Sequence, residues 1–281
     1  MINLISSLPR VAASVTLYNS HPVCVDIIAT YQNQVEHVYL IDNSEQPDIA
    51  LIETLTQWPN VQYISNEGNL GVAASLNKAA KMAITDGFDF LLTMDDDTGL
   101  PQDAVHTMLT IATRSFDLCQ IAIISGIHSL HNYNSHSIAV PYTMTSGYLL
   151  NLTVYKHAGP FREDFFIDHI DHEYGLRLNE IGYRVIELPQ IRLQHQLGEQ
   201  KTSKWGSYTF VSHSPVRGYY MVRNGLVLAR IYPTFRYNAF ILIAKELLKL
   251  ILFEDQRLQR LRLFGLGIRD ASSGRLGKFD R

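Results

Sequence analysis

Apolar residues fall in short solid runs over the first 125 positions, and each run ends on a cluster of polar groups. The runs are Arg10–Leu17, Glu36–Ile41, Val61–Ser65, Phe88–Met94 and Ile121–Ser125. The first four close on Tyr18-Asn19-Ser20, Asp42-Asn43-Ser44, Asn66 and Asp95-Asp96-Asp97. Apolar runs of this length, bounded by turn formers, read as buried strands. Between them the pattern lengthens to a helical period over about Pro22–Gln34, Asp48–Trp58, Val72–Ile84 and Pro101–Thr113, with Pro101 suited to a first helical position. Strand and helix in strict alternation predict a doubly wound, mostly parallel α/β sheet. Such sheets bind ligands at the carboxyl ends of their strands, where the polar clusters fall. Beyond Gly126 the alternation loosens into short strands and one helix near Asp171–Ile181. From Tyr237 to Phe264 the period is helical again, one or two amphipathic helices in which Lys245, Lys249, Arg257, Arg260 and Arg262 interleave with Leu, Ile and Phe.

Composition changes this picture little and charge changes it more. With 281 residues, 46% of them hydrophobic, the chain is long enough for a full core. No run of about twenty apolar residues predicts a membrane span, and the first ten residues carry no secretory pattern. Two cysteines, Cys24 and Cys119, give no disulfide or metal spacing and fit a reducing cytoplasm. Residues 1–200 hold 9 Lys+Arg against 22 Asp+Glu, whereas residues 201–281 hold 15 against 5. An acidic body suits a cation-assisted site; a basic amphipathic tail suits either an anionic membrane surface or packing against a partner.

Asp95-Asp96-Asp97 is the sharpest chemical signal. Adjacent carboxylates repel unless a cation or donors compensate, and alternate residues of an extended segment share a face. Asp95 and Asp97 therefore suit Mg²⁺ or Mn²⁺, hard cations that complete their shell with water and phosphate oxygens. A solvated acidic turn would carry the same residues, but the apolar strand before them favours the site. The loop Asn66-Glu67-Gly68-Asn69-Leu70-Gly71 leads into a helix and lets backbone N–H groups approach a diphosphate, or is a plain helix-initiating turn. Asp42, at a strand end, suits a ribose or base, or forms a turn with Asn43. In Phe165–Tyr174, two aromatics lead into Asp168, Asp171 and Glu173 with two histidines. A carboxylate beside an apolar wall can serve as general base; acids at a helix start are the alternative. His195 reads locally as a core histidine or a late metal ligand.

Taken in order, VTLYN (15–19), IDNS (41–44), NEGNLGVAASLNKA (66–79), LLTMDDD (91–97), TSGYLLNLTVYKHAGPF (145–161), FFIDHIDHEYGLRL (165–178), GYRVIELPQIRLQH (182–195) and RGYYMVRN (217–224) resemble the inverting glycosyltransferases of GT-A fold, and among them bacterial rhamnosyl- and galactofuranosyltransferases. The likeness covers about residues 10–230. It implies a Rossmann-like GT-A domain over 1–230, with a nucleotide-sugar half to about 125 and an acceptor half from 126, followed by a basic amphipathic helical appendage over 231–281. It implies that Tyr18, Asn19, Asp42 and Asn66 hold the nucleotide, and that Asp95, Asp96 and Asp97 stand at the family's DXD element, with His195 as a further metal ligand. It sets Asp171, in the pattern D-x-E-[YW], as the base, with Asp168 its rival. Ser146, Gly147 and Glu173 fall on the acceptor side, and Arg217, Arg223 and Asn224 near phosphate.

The expected reaction is displacement at the anomeric carbon of a nucleotide-diphosphate sugar, L-rhamnose from dTDP-rhamnose or a UDP-sugar such as UDP-galactofuranose. The expected acceptor is a glycan or lipid-linked saccharide of a bacterial surface polysaccharide. The protein is expected in the cytoplasm, peripheral on the inner face of the membrane, with no nucleic-acid partner. A nucleotidyltransferase is a rival, but residues 16–22 (TLYNSHP) lack the Gly, Lys and Arg its first loop needs. A non-catalytic sugar-nucleotide-binding protein is another, against which the full acidic set argues.

Overall fold

The structure, a computed structural model, describes residues 9–114, 120–128, 136–195, 200–202, 209–211 and 213–281. The first half runs β1 (Val11–Leu17), α1 (Cys24–Ala29), β2 (His37–Asp42), α2 (Ile49–Leu55), β3 (Val61–Ser65), α3 (Val72–Thr85), β4 (Phe90–Asp95), β5 (Thr98–Gly99), α4 (Ala104–Arg114) and β6 (Ile121–Ile127). The second adds β7 (Ile138–Val140), β8 (Tyr148–Asn151), α5 (Leu152–Ala158), α6 (Ile170–Glu180), β9 (Arg184–Arg192), β10 (Gln194–His195), α7 (Pro215–Ile231), α8 (Arg236–Leu252) and α9 (Arg257–Ser273).

Eight strands form one sheet in the order β3-β2-β1-β4-β8-β6-β9-β7. β1 through β4 are parallel, and β8 enters antiparallel between β4 and β6. The chain moves outward from β1 to β3 and then returns to place β4 on the other side of β1. This reversal opens a crevice at the carboxyl ends of β1 and β4. Helices cover both faces. Ala73, Leu76, Ala80 and Tyr174 lie in the core on one side, and Cys24, Ile28, Leu55 and Met108 in the core on the other. Burial on both faces explains the unbroken apolar runs, each fully buried Leu, Ile or Val contributing about 1.5–3 kcal/mol.

Three helices start or stop short of the expected bounds, α2 covering only Ile49–Leu55 of the expected 48–58. α1 ends at Ala29, because the Thr30 hydroxyl turns back to the Ile27 carbonyl and also accepts the Leu100 N–H. α4 begins at Ala104 rather than Pro101, because Asp103 takes a left-handed φ of 61°. The tail forms two helices, not one. They are broken between Leu252 and Arg257, where buried Glu254 accepts Arg260 at 3.1 Å and Gln256 is left-handed. α9 lays Leu263 and Phe264 against α7, so the appendage has a packed inner face.

Candidate active site

Strand register brings the predicted nucleotide residues to one edge. Thr16 stands beside Ile41 on one side and Asp95 on the other, so β1, β2 and β4 end level. Tyr18 is 48% exposed at this edge, and Asn19 beside it is left-handed. Its N–H donates to Ser44 Oγ at 2.8 Å, which ties the first loop to the second. Asp42 is buried. One of its oxygens accepts the Ser44 N–H at 2.8 Å and the other the Tyr63 hydroxyl at 3.0 Å. Asn66 donates to Asn43 Oδ1 at 2.8 Å and accepts Lys78 Nζ at 2.7 Å. Asp42 and Asn66 therefore shape the loops that frame the crevice. Asn43, whose side chain bridges Asn66 and the Gly71 carbonyl, was not singled out by sequence. Its place after Asp42 at a strand end was the available signal.

The acidic triplet caps β4. The Asp95 N–H donates to Ser146 Oγ at 2.9 Å, so Ser146, buried at the foot of β8, positions the triplet itself. Gly147 follows with φ 88°, and a side chain there would run into Leu193. Burial raises the carboxyl of Asp96, the charge of Asp97 adds to this, and a bond with Ser20 opposes it. Thr98 donates to Asp97 Oδ1 at 3.2 Å. Thr98 is also the antiparallel partner of His195, which brings the backbone of His195 beside the triplet from 97 positions away. Among the described residues no group of three or more His, Cys, Asp or Glu side chains could by itself hold a metal ion. A carboxylate pair at a strand end still suits a hard cation whose other ligands are diphosphate oxygens and water.

Across the crevice lies a strained loop. Phe166, Asp168 and His169 have φ of 65°, 62° and 62°, left-handed values that cost non-glycine residues about 1–3 kcal/mol each. Its carbonyls are held from below. Asn224 donates to the carbonyls of Phe165, Ile167 and Asp168 at 3.0, 2.8 and 3.0 Å, and Arg223 to those of Asp164, Phe165 and Gly277. Val72, opening α3, donates to the Phe166 carbonyl at 3.0 Å. A Cβ on Gly71 would stand 2.5 Å from that same oxygen, so the loop over 66–71 meets the loop over 165–169 only because residue 71 is glycine.

α6 begins at Ile170, which leaves Asp168 in the loop and puts Asp171 in the first turn. Asp168 faces Arg217 Nε at 3.0 and 3.3 Å; burial raises its carboxyl and the Arg217 charge opposes the rise. Asp171 Oδ1 accepts the His172 N–H at 2.8 Å and lies 2.7 Å from His172 Nδ1. Burial alone would raise Asp171, but the charge and hydrogen bonds of His172 outweigh it and hold the carboxyl below its ordinary range. The His172 ring packs against Tyr142 at 4.2 Å and meets the ring of His169 edge-on at 4.8 Å. Burial raises the phenol of Tyr148, opposite Thr93 on β4, and Tyr174 and then Asp171 add to the rise. Two expected site residues point elsewhere. Glu173 is buried between Arg177 at 2.9 Å and the Tyr232 hydroxyl at 3.0 Å. Arg223 is 1% exposed beneath the loop, so with Asn224 it is a support of the site and not a phosphate contact. Lys278, unmarked in the sequence, reaches the Asn69 carbonyl at 2.9 Å.

The family described as glycosyl transferase family 2 matches residues 14–216. The dTDP-rhamnosyl transferase RfbF of Shigella flexneri is 24% identical over 224 residues, 73% of this chain and 74% of that protein. The crystal structure of S. aureus TarS 1–349 with UDP-GlcNAc aligns over 94% of this chain and 73% of that one, at TM-score 0.52 and 15% identity. GalNAc-T7, solved with UDP, GalNAc and Mn²⁺, aligns over 68% of this chain at TM-score 0.57 and 11% identity, and the chain spans under half, 44%, of its length. These structural likenesses identify the sheet and its flanking helices as a GT-A fold.

Proposed function

The chain belongs to glycosyl transferase family 2 and is a glycosyltransferase, and we propose that it transfers L-rhamnose from dTDP-rhamnose, with inversion, to a glycan or lipid-linked saccharide acceptor of a bacterial surface polysaccharide. The rhamnosyl donor is supported by the likeness to the Shigella flexneri rhamnosyl transferase. The single observation that carries the mechanism is the meeting of two loops, where Val72 and Gly71 pack on the Phe166 carbonyl. This joins the crevice of β1 and β4 to the strained segment bearing Asp168 and Asp171.

In this reading Tyr18, Asn19 and the loop over 66–71 receive the nucleotide, which Asp42, Asn43 and Asn66 pre-shape. Asp95 and Asp97, with His195, would hold Mg²⁺ or Mn²⁺. Bound there, the ion would supply Lewis-acid neutralisation of the departing diphosphate, an effect of several kcal/mol. Asp96 lines the donor, and Ser146 keeps the triplet in register. Asp171 accepts the acceptor hydroxyl proton. His172 keeps it ionised at neutral pH, and a positioned base contributes about 10²–10⁴-fold. Arg217 holds Asp168 by the acceptor. The products are a rhamnoside and dTDP; the sugar–oxygen bond to the diphosphate breaks as the new glycosidic bond forms.

The test is incubation with dTDP-rhamnose and a polysaccharide-derived acceptor, reading the released nucleotide. Release of dTDP with a rhamnosylated product is expected; release of rhamnose 1-phosphate, with the thymidylyl group transferred, would identify nucleotidyl transfer instead. UDP-bound neighbours of the same fold keep a UDP-sugar as the second reading, so UDP-galactofuranose is the matched comparison. We assign the protein's place of work to the inner face of the cytoplasmic membrane, where a lipid-linked acceptor would stand.

A further inference from the structure

α8 and α9 sort their side chains in an unusual way. The acids on the two helices, and Glu254 between them, turn inward, while Asp255 in the same turn stays exposed. Glu246 pairs with Lys249, Glu254 accepts Arg260, and Asp270 accepts Tyr219 and Arg281. The charged side chains that the two helices leave exposed are all basic: Arg236, Lys245, Arg257, Arg262 and Arg269. Between them stand bare apolar groups. On α8, Tyr237, Phe240, Leu248, Ile251 and Leu252 are exposed, Tyr237 by 76%. Their separations of three, four, eight and eleven residues put them on one helical stripe. On α9, Leu258, Leu261 and Ile268 continue the pattern, Leu258 at 86% exposure. A groove of about 380 Å³ runs along α9, lined by Leu263, Leu266 and Phe279 and by Arg262, Arg269 and Arg281, of which Arg269 and Arg281 also reach Asp270. It also touches Val216, one residue before the Arg217 that holds Asp168.

From this sorting we infer that the outward face of α8 and α9 docks on an anionic phospholipid bilayer, its apolar stripes entering the headgroup boundary and the arginine-lined groove seating a lipid phosphate. The inference rests on the membrane-side placement proposed above and names the surface responsible. Charge complementarity selects the occupant. A second copy in a two-fold interface would set the basic face against itself, whereas acidic headgroups match it. Apolar side chains interleaved with Lys and Arg are also the composition that lies in a membrane interface. Docking by this face would bring the Arg217 end of α7 to the membrane, where a lipid-borne acceptor presents its sugar.

The experiment is co-sedimentation of the full chain with phosphatidylcholine vesicles, with and without phosphatidylglycerol, at low and high salt. Binding is expected only with phosphatidylglycerol, falling as salt rises and unaffected by soluble glycerophosphate. Lys245→Gln with Arg262→Gln should weaken it roughly thirtyfold, at about a factor of five per basic group. Leu248→Ser with Ile251→Ser should weaken it as well. All four positions are exposed or half-buried at the surface, so both variants should keep the parent Tm and the parent dTDP release with a water-soluble acceptor. No binding to anionic vesicles, or binding indifferent to salt, would overturn the inference. So would sedimentation as a dimer that Leu248→Ser with Ile251→Ser dissolves. Vesicle binding needs no turnover, so loss of the glycosyl-transfer reading would leave this result standing and the two failures are separable.

Discussion

Asp168 and Asp171 are three residues apart, and their partners differ. Asp168 has both oxygens toward Arg217. Asp171 has one oxygen engaged by His172, and its carboxyl is held below the ordinary range by that partner. Asp171→Asn keeps the shape but cannot take a proton, so kcat should fall by about 10²–10⁴ with dTDP affinity unchanged. Asp168→Asn should cost less and act mainly through acceptor KM. Near-normal kcat in the first variant beside a dead second one would exchange the roles. His169 gives a pH signature. It is buried, its Nδ1 has no hydrogen-bond partner, and burial lowers it from 6.5 to about 4, helped by His172 and opposed by Asp171 and the backbone of Met221. Between those values the unfolded chain binds a proton that the native state does not. Stability should therefore fall as pH drops from 6.5 toward 4, by about 3 kcal/mol at most from this group. His169→Asn, which tolerates the left-handed backbone, should flatten that slope in urea unfolding at pH 4.5 against pH 7.

The loop that carries these carboxylates is supported by elements far away in sequence. Arg223 on α7 joins it to Gly277, whose own N–H donates to the Asp164 carbonyl at 2.7 Å. The Phe279 N–H donates to the Tyr220 hydroxyl at 2.7 Å, and Lys278 continues to Asn69 on the opposite loop. Residues 274–281 thus strap the loop that leads to Asp168 to the loop of Asn69. Arg223→Met removes a buried charge satisfied by carbonyls and stacked near Tyr219 and Tyr220. A loss of about 3 kcal/mol is expected, a fall of roughly 6–12 °C in Tm. Lys278→Ala touches only an exposed end of the strap. It should leave Tm within a degree or two while raising KM for the donor, and Lys278→Arg should restore it. An unchanged donor KM in Lys278→Ala would mean that the strap does not steer the nucleotide loop.

At the scale of the molecule, binding at the switch between β1 and β4 should report as stability. A ligand at one hundred times its Kd adds about 2.7 kcal/mol to the native state. Thermal shifts with dTDP are expected to grow when Mn²⁺ is added, and Asp97→Ala should remove that increment and abolish turnover. A full Mn²⁺ increment in Asp97→Ala would take the ion away from the triplet. UDP giving the larger shift would favour the UDP-sugar reading.

Much of this was legible in the chain because it depends on local periodicity. Apolar runs with a period of strands, each ending on Tyr18-Asn19, Asp42 or Asp95–Asp97, set the parallel α/β half and put the acidic triplet at a strand end. The order of motifs carried the family. Other features were decided by tertiary structure alone, because they arise from contacts across long sequence separations. β8 enters antiparallel between β4 and β6, which no local pattern encodes. Arg223 and Glu173 look like ligands by residue type, yet packing buries them against carbonyls and a tyrosine. Asp42 and Asn66 become loop braces once Tyr63 and Lys78 reach them. The basic tail could face lipid or protein on periodicity alone. Only folding showed Glu246, Glu254 and Asp270 turned inward and a row of arginines and leucines turned out, because charge sorting is a property of which helix face the core accepts.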